Sequence, residues 1–347
     1  MGFFNKRTIH RTGIAYLLAL YLLTVSVAQG EEAWLAAGGE WIEFPSYTAD
    51  SYRDIFQGNY RGNPDEIRGL LFMPEGSVGE VPAVILQHGS GHPFRNSRER
   101  WDLDVIAGLN EHGIAVFIPD GYTTRGITSS VQQQTELSPA SRVIDGAQAF
   151  LALAADPRID ATRIGISGYS FGGFVSIELA HAQLARALLG EQRFAAHAPI
   201  YPDCQRRWEQ VELTGAPMLL MLAELDDYTP AHFCHDYTAS MQELGYPVRF
   251  FEYEGAHHSF NYDFELAYRE HAVFRECPVA TVREDGGFSF IEGMADADFP
   301  SWGEYIIAVF QECGTRGVHL GYHEPARDAA LADLVQFYRD TLLSPEP

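Results

Sequence analysis

Seven short runs rich in β-branched and large apolar residues recur along this chain, at 67–73, 81–87, 114–119, 163–167, 194–201, 217–223 and 248–253. Between several of them lie stretches with the three-to-four-residue apolar spacing of amphipathic helices, at 101–112, 140–155, 171–189 and 231–244. A helix between two strands returns the chain to the same end of the sheet, so the second strand runs parallel to the first. The repeated alternation therefore predicts an α/β fold, a mostly parallel sheet with helices on both faces. In such sheets ligands bind beyond the carboxyl ends of the strands, and that is where residues able to do chemistry are sought.

One strand end carries an unusual corner. In "RIGISGYSFGGFVSIELA", residues 163–180, alternating apolar residues break at a glycine and an apolar helical pattern follows. Ser170 sits at the break, with Gly168 before it and Gly172 after it. A serine hydroxyl is a poor nucleophile until it is held exposed beside a base, and a tight strand-to-helix turn does the holding. Small residues at 168 and 172 let two chain segments approach, while the N–H of Phe171, at the helix start, is a donor for a developing oxyanion. The pentapeptide Gly-x-Ser-x-Gly is weak alone. Its strand–turn–helix setting is what raises it.

The partners a nucleophilic serine needs follow in the order serine, acid, histidine. "MLLMLAELDDYTPA" is a buried-strand pattern ending in Asp226 and Asp227, and "YEGAHHSFNYD", after the next strand, offers His257 and His258. Asp226 lies nearer its strand end, whereas Asp227 is suited to capping the helix that starts near Ala231. Either imidazole has the chemistry of a general base, and His258 is preferred. Upstream, "QHGSGH" follows a buried strand, and the N–H of Ser90, or of Gly89, is the candidate second oxyanion donor. Arg125 in "YTTRG" is read either as a cation at the mouth for anionic substrate or as an ordinary surface arginine.

Together, "LQHGSGH", "PDGYTTRG", "GYSFGG", "AELDDYTPA" and "GAHHSF" resemble the dienelactone hydrolase family of the α/β-hydrolase superfamily. The likeness runs from about Arg68 to Phe260 and resumes in "GYHEPARDAALADLVQFYRDTLL", which is similar to the family's closing helix. The resemblance implies an α/β-hydrolase fold with a central sheet of about eight strands. It also implies hydrolysis of esters or lactones through an acyl-enzyme, without a cofactor. It selects Asp226, four residues before a proline, and His258, which precedes Ser-Phe. Two positions depart from the family. Its best-known members carry a cysteine where this chain has Ser170, and an arginine shortly after the histidine where this chain reads Asn261-Tyr262. A general serine esterase is therefore expected, with Tyr262 lining the substrate site.

The remaining features bound the setting. Lys6, Arg7 and Arg11 precede an apolar run at 14–27 that is shorter than a bilayer span, with Ser26 and Ala28 as small residues for cleavage. Residues 1–28 are thus expected to be a signal peptide, leaving no membrane anchor, with residues 29–347 as one hydrolase domain in a secreted or periplasmic protein. The net charge of −23 becomes more negative once that basic segment is lost, which argues against nucleic acid and anionic membranes as partners. A small-molecule ester or lactone is the expected partner.

Export permits disulfides, and local pairing of Cys204 with Cys234 and of Cys277 with Cys313 is the simplest of three connectivities. "HFCH", at 232–235, lacks a nearby fourth ligand, so no metal is expected. Residues 262–320 are too long for a simple connection and carry several aromatics, which predicts an insertion with its own structure, either a partial lid over the site or a surface excursion packing its aromatics. Two other function classes share this scaffold: a small exported peptidase of prolyl oligopeptidase type, and a non-catalytic binding protein. The second has no use for an elbow serine.

Overall fold

The structure, a computed structural model, describes residues 32–94, 99–131 and 134–343, so the expected signal peptide lies outside the described residues. The central sheet is built from β1 (Glu40–Ser46), β2 (Asp65–Phe72), β3 (Val81–Gln87), β4 (Ala115–Asp120), β5 (Ile159–Tyr169), β6 (Ala196–Ile200), β8 (Met218–Ala223) and β9 (Val248–Tyr253). A short strand, β7 (Arg206–Trp208), stands outside it. The order is β1-β2-β4-β3-β5-β6-β8-β9, with β2 antiparallel to both neighbours and every later pair parallel. This is the α/β-hydrolase arrangement. The seven runs read from the sequence are strands of this sheet, and β1 is the eighth. It was missed because Glu40 and Glu43 interrupt its pattern, as an edge strand with one wet face permits.

The helices are α1 (Tyr52–Gln57), α2 (Glu99–Asn110), α3 (Pro139–Ala154), α4 (Phe171–Glu178), α5 (Ala182–Leu189), α6 (Ala231–Glu243), α7 (Trp302–Cys313) and α8 (Glu324–Tyr338). They cover both faces of the sheet. On β3, Ala83 and Ile85 pack with α3 and α4 residues such as Val143 and Val175, while Val84 and Leu86 pack with Val105 of α2 and Tyr338 of α8. Strand periodicity thus feeds two separate cores, which is why β3 is apolar at nearly every position and wholly buried. Among the described residues, no helix is long and apolar enough to cross a membrane.

The helix expected over 171–189 is two helices. The chain breaks at 179–181, where the backbone turns aside to pair with 212–214: Ala182 N–H donates to Glu212 O at 2.8 Å, and Thr214 N–H to Ala180 O at 2.9 Å. A tertiary pairing here overrides a continuous apolar pattern.

Residues 262–320 fold into β10 (Ala267–Val273), β11 (Ala280–Val282), β12 (Phe288–Ser289), α7 and β13 (Thr315–Leu320). β10 pairs with β13, and β11 pairs with both β12 and β7. The cysteines form the two local pairs, Cys204–Cys234 and Cys277–Cys313, each with Cα atoms 5.0 Å apart. The first ties the loop after β6 to α6, and the second ties the segment after β10 to the end of α7. Cross-links closing loops of this length typically contribute about 2–4 kcal/mol.

Candidate active site

Ser170 is the single residue between β5 and α4, with φ 55° and ψ −117°. A non-glycine residue at positive φ costs on the order of 1–3 kcal/mol, so its surroundings must hold it there. They do so with hydrogen bonds from Ser170 N–H to Ile200 O and from Phe174 N–H to Ser170 O, both 2.9 Å. The glycines have steric reasons. A Cβ at Gly168 would lie 2.6 Å from Gly172 C and 2.7 Å from Gln87 O, and one at Gly172 would collide with Gln87 O.

The loops after β8 and β9 bring the acid and the base to this serine. His258 Nε2 lies 3.0 Å from Ser170 Oγ, and His258 Nδ1 lies 2.8 Å from Asp226 Oδ2. A neutral ring satisfies both contacts if Nδ1–H donates to the carboxylate and Nε2 accepts the serine proton. Asp226 is held by N–H donors from Tyr228 and Thr229, each at 2.8 Å, and by the Thr229 hydroxyl at 3.1 Å. Its side chain is nearly fully buried, as is that of His258. Tyr201 and Tyr228 meet the imidazole edge-to-face, with centroids at 4.6 and 4.9 Å. This geometry can remove a proton from Ser170 and hold the resulting imidazolium against a carboxylate.

Asp227 does not cap α6, which begins after Pro230 without a side-chain cap. Its carboxylate instead accepts from the N–H and Nδ1 of His319, both at 2.8 Å. His257 turns toward that same His319, ring centroids 5.7 Å apart. One register step along each loop separates the residues that meet Ser170 from those that brace the insertion.

The turn carrying Gly89 and Ser90 lies beside the nucleophile: a Cβ on Gly89 would sit 3.5 Å from Ser170 Cβ. An interior arginine that the sequence reading missed fixes this turn. Arg142, fully buried, donates to His88 Nε2 at 2.7 Å and to His88 O at 2.6 Å. With Nε2 accepting, the His88 proton sits on Nδ1 and reaches Gly89 O at 2.8 Å. A trans peptide points its N–H opposite to its C=O, so pinning the Gly89 carbonyl also fixes the direction of the Ser90 N–H. Phe171, the first residue of α4, has no acceptor for its own N–H within the helix. Gln134 Nε2 donates to Ser90 Oγ at 3.1 Å and to Tyr228 OH at 3.4 Å. Burial pushes the Tyr228 phenol up to about 12, so it stays neutral through the physiological range.

Arg125 is not at the mouth. Its guanidinium makes a two-pronged pair with Asp145 at 2.9 Å, a third contact with Asp65 at 2.9 Å, and a bond to Gly121 O at 2.9 Å. Burial works against its charge, but Asp145 and Asp65 outweigh that and hold its pKa above the ordinary arginine value. The buried Asp145 carboxylate, which needs a cation in the interior, and the half-exposed Asp65 account for this arginine. Spacing along one loop could not reveal them.

Ser170 opens onto two clefts. One is a chamber of ≈ 130 Å³ walled by Phe171 and Phe174 of α4 and by Phe274, Phe288, Phe290 and Trp302 from residues 262–320. The other, ≈ 270 Å³, is lined by His258, Tyr169, Tyr201, Tyr262, Arg269 and His271, among others. Tyr262 therefore does line the site, packed edge-to-face on Tyr169 at 5.3 Å. Arg269 and His271 were not anticipated, since they reach the cleft through the β10–β13 pairing and not through proximity to a motif.

Comparison with known proteins adds to this geometry. No curated protein matches the chain by sequence. Among solved structures, a provisionally named dienelactone hydrolase from Klebsiella pneumoniae subsp. pneumoniae is 13% identical, covering 86% of this chain and 98% of its own, with a TM-score of 0.49. A thermophilic esterase from the planctomycete Thermogutta terrifontis is 15% identical over 57% of this chain and 80% of its own, TM-score 0.45. Dipeptidyl peptidase 4 of Porphyromonas gingivalis is 16% identical over 64% of this chain and 32% of its own, TM-score 0.44. These likenesses are distant, and none bears on activity. The family match is of another kind, because it spans residues 67–277, more than half of the chain, and takes in the Gly89 turn, the Ser170 corner and the loops of Asp226 and His258. The chain belongs to the dienelactone hydrolase family and is a hydrolase of the carboxylic-ester type.

Proposed function

We propose that the protein is an exported serine esterase that cleaves neutral carboxylic esters or lactones through an acyl-enzyme. The observation that carries this reading is the continuous chain Ser170 Oγ, His258 Nε2, His258 Nδ1, Asp226 Oδ2, with links of 3.0 and 2.8 Å. His258 takes the Ser170 proton as Oγ bonds to the ester carbonyl carbon, and the N–H groups of Phe171 and Ser90 receive the oxyanion. Collapse breaks the carbon–oxygen bond to the alcohol, which leaves with the proton from His258. Water then repeats the sequence, with His258 as base, to release the carboxylic acid and restore Ser170. Arg142 acts through the His88 turn as a positioning residue. Export is supported by the apolar N-terminal run and by two disulfides, which belong to oxidising compartments. Residues 262–320 serve as an insertion that completes the substrate chamber.

The test is turnover of matched neutral aryl esters and aminoacyl anilides. Ester hydrolysis that disappears in Ser170→Ala, with anilides at least about a hundredfold slower in kcat/KM, is the expected result. Faster cleavage of the anilides makes the protein a peptidase instead.

A further inference from the structure

The two clefts are not equivalent, because the leaving alcohol must take its proton from His258 Nε2 and so must depart within hydrogen-bond reach of it. His258 lines the larger cleft, whereas the chamber is lined by Phe171, the proposed oxyanion donor, and lacks His258 among its described residues. With the carbonyl carbon at Ser170 Oγ and its oxygen on the donors, the two remaining substituents are forced apart. The alcohol lies in the His258 cleft and the acyl group in the chamber.

The chamber's chemistry then names the acyl group. Much of its wall is aromatic: Phe274 and Phe290 stand nearly parallel with centroids 6.0 Å apart, Phe288 meets Phe290 edge-on at 5.2 Å, and Phe171 packs against Phe174 at 5.7 Å. Its volume of ≈ 130 Å³ is that of one ring, since an apolar cavity of about 150 Å³ holds a benzene molecule. Two cations line it, and both are engaged. Arg206 is paired with Asp203 and lies 3.7 Å from Glu178, with its guanidinium over the Phe174 ring. Arg275 is bonded to the carbonyls of Asp227 and Gly317 and lies 3.5 Å from Glu276.

Resting on the esterase reading above, we propose that the chamber is an acyl pocket for a single neutral aromatic ring, so that esters of benzoic-type acids are the preferred substrate class. Ring–ring contacts contribute beyond the area they bury, which separates a benzoyl group from a saturated ring of the same size.

The experiment compares methyl benzoate with methyl cyclohexanecarboxylate, each kcat/KM divided by the ester's own hydroxide rate constant. The expected outcome is a preference of about tenfold for the benzoate. A ratio near one, or a preference for the saturated ring, overturns the proposal while leaving the esterase reading intact. The second arm sets methyl benzoate against phenyl acetate, which carries the ring on the alcohol side, in wild type and Phe290→Leu. The variant should lose about tenfold more on the benzoate than on phenyl acetate. Its thermal unfolding, compared with that of wild type, reports that it has folded. A larger loss on phenyl acetate reverses the cleft assignment and overturns the proposal, and an equal loss on both, in a variant that unfolds like wild type, overturns it too. Absence of Ser170-dependent hydrolysis for all three esters removes the esterase reading itself.

Discussion

Ser170→Ala is expected to lower turnover of a neutral aryl ester by about 10⁶ while leaving thermal unfolding close to wild type. The expectation follows from the corner's construction. The strain at Ser170 is held by backbone bonds to Ile200 O and from Phe174 N–H, which an alanine retains, so the deletion removes the reacting oxygen and little else. His258→Ala should lose activity on a comparable scale, because without a base the hydroxyl keeps its proton. His257→Ala should stay within a fewfold of wild type, since that ring packs on His319. Residual activity of a tenth in Ser170→Ala assigns the nucleophile elsewhere, and the opposite ranking of the two histidines moves the base by one residue.

Arg125→Ala is expected to be a stability variant. Asp145, with its side chain almost wholly excluded from water, accepts two bonds from Arg125 and one from Ser46 Oγ at 2.5 Å. Removing the guanidinium leaves a buried carboxylate with one hydroxyl donor, a change that typically costs about 3–5 kcal/mol. For a domain of this size that corresponds to a fall in Tm on the order of 10 °C. Below that temperature, KM for a neutral ester should be unchanged, because no part of Arg125 lines either cleft. An unaltered Tm together with lost turnover of carboxylate-bearing substrates restores the mouth role read from sequence. Among the described residues the chamber's two arginines, Arg206 and Arg275, are engaged by Asp203 and by backbone carbonyls, and the cation that lines the larger cleft is Arg269. Its side chain is exposed, where a single ion pair is worth at most about 1 kcal/mol, so neutral esters remain the expected substrates.

The contrast between these two residues shows what can be read from a chain like this one. Ser170 was legible because its requirements are local: Gly168 and Gly172 must be small for the corner to close, and that demand is written within five residues. Asp226 and His258 were legible because each follows a strand, and parallel strands deliver their following loops to one end of the sheet. Asp226 was preferred to Asp227 for lying nearer its strand end and His258 was preferred to His257, family resemblance settled both choices, and the structure places the other pair beside His319 on β13, far along the chain from both. The roles of Arg125 and Arg142 were illegible for the same reason. Each is defined by partners tens of residues away, Asp65 and Asp145 in one case and His88 in the other. The aromatic chamber is the extreme case. Four of the seven aromatic residues that line it come from residues 262–320, where short strands, one helix and one disulfide, and no extended pattern, set their positions.

The central claim, that Ser170 is the nucleophile activated by His258 and Asp226, is tested most directly by a neutral fluorophosphonate. The serine oxygen displaces fluoride from phosphorus and forms a stable bond that peptide mass spectrometry can locate. The account predicts one phosphonyl group per chain, carried by the peptide containing Ser170, and none in Ser170→Ala. Labelling of wild type that is sharply slowed in His258→Ala but not in His257→Ala completes that expectation. Modification at another residue, or labelling of Ser170 at an equal rate in His258→Ala, would contradict it.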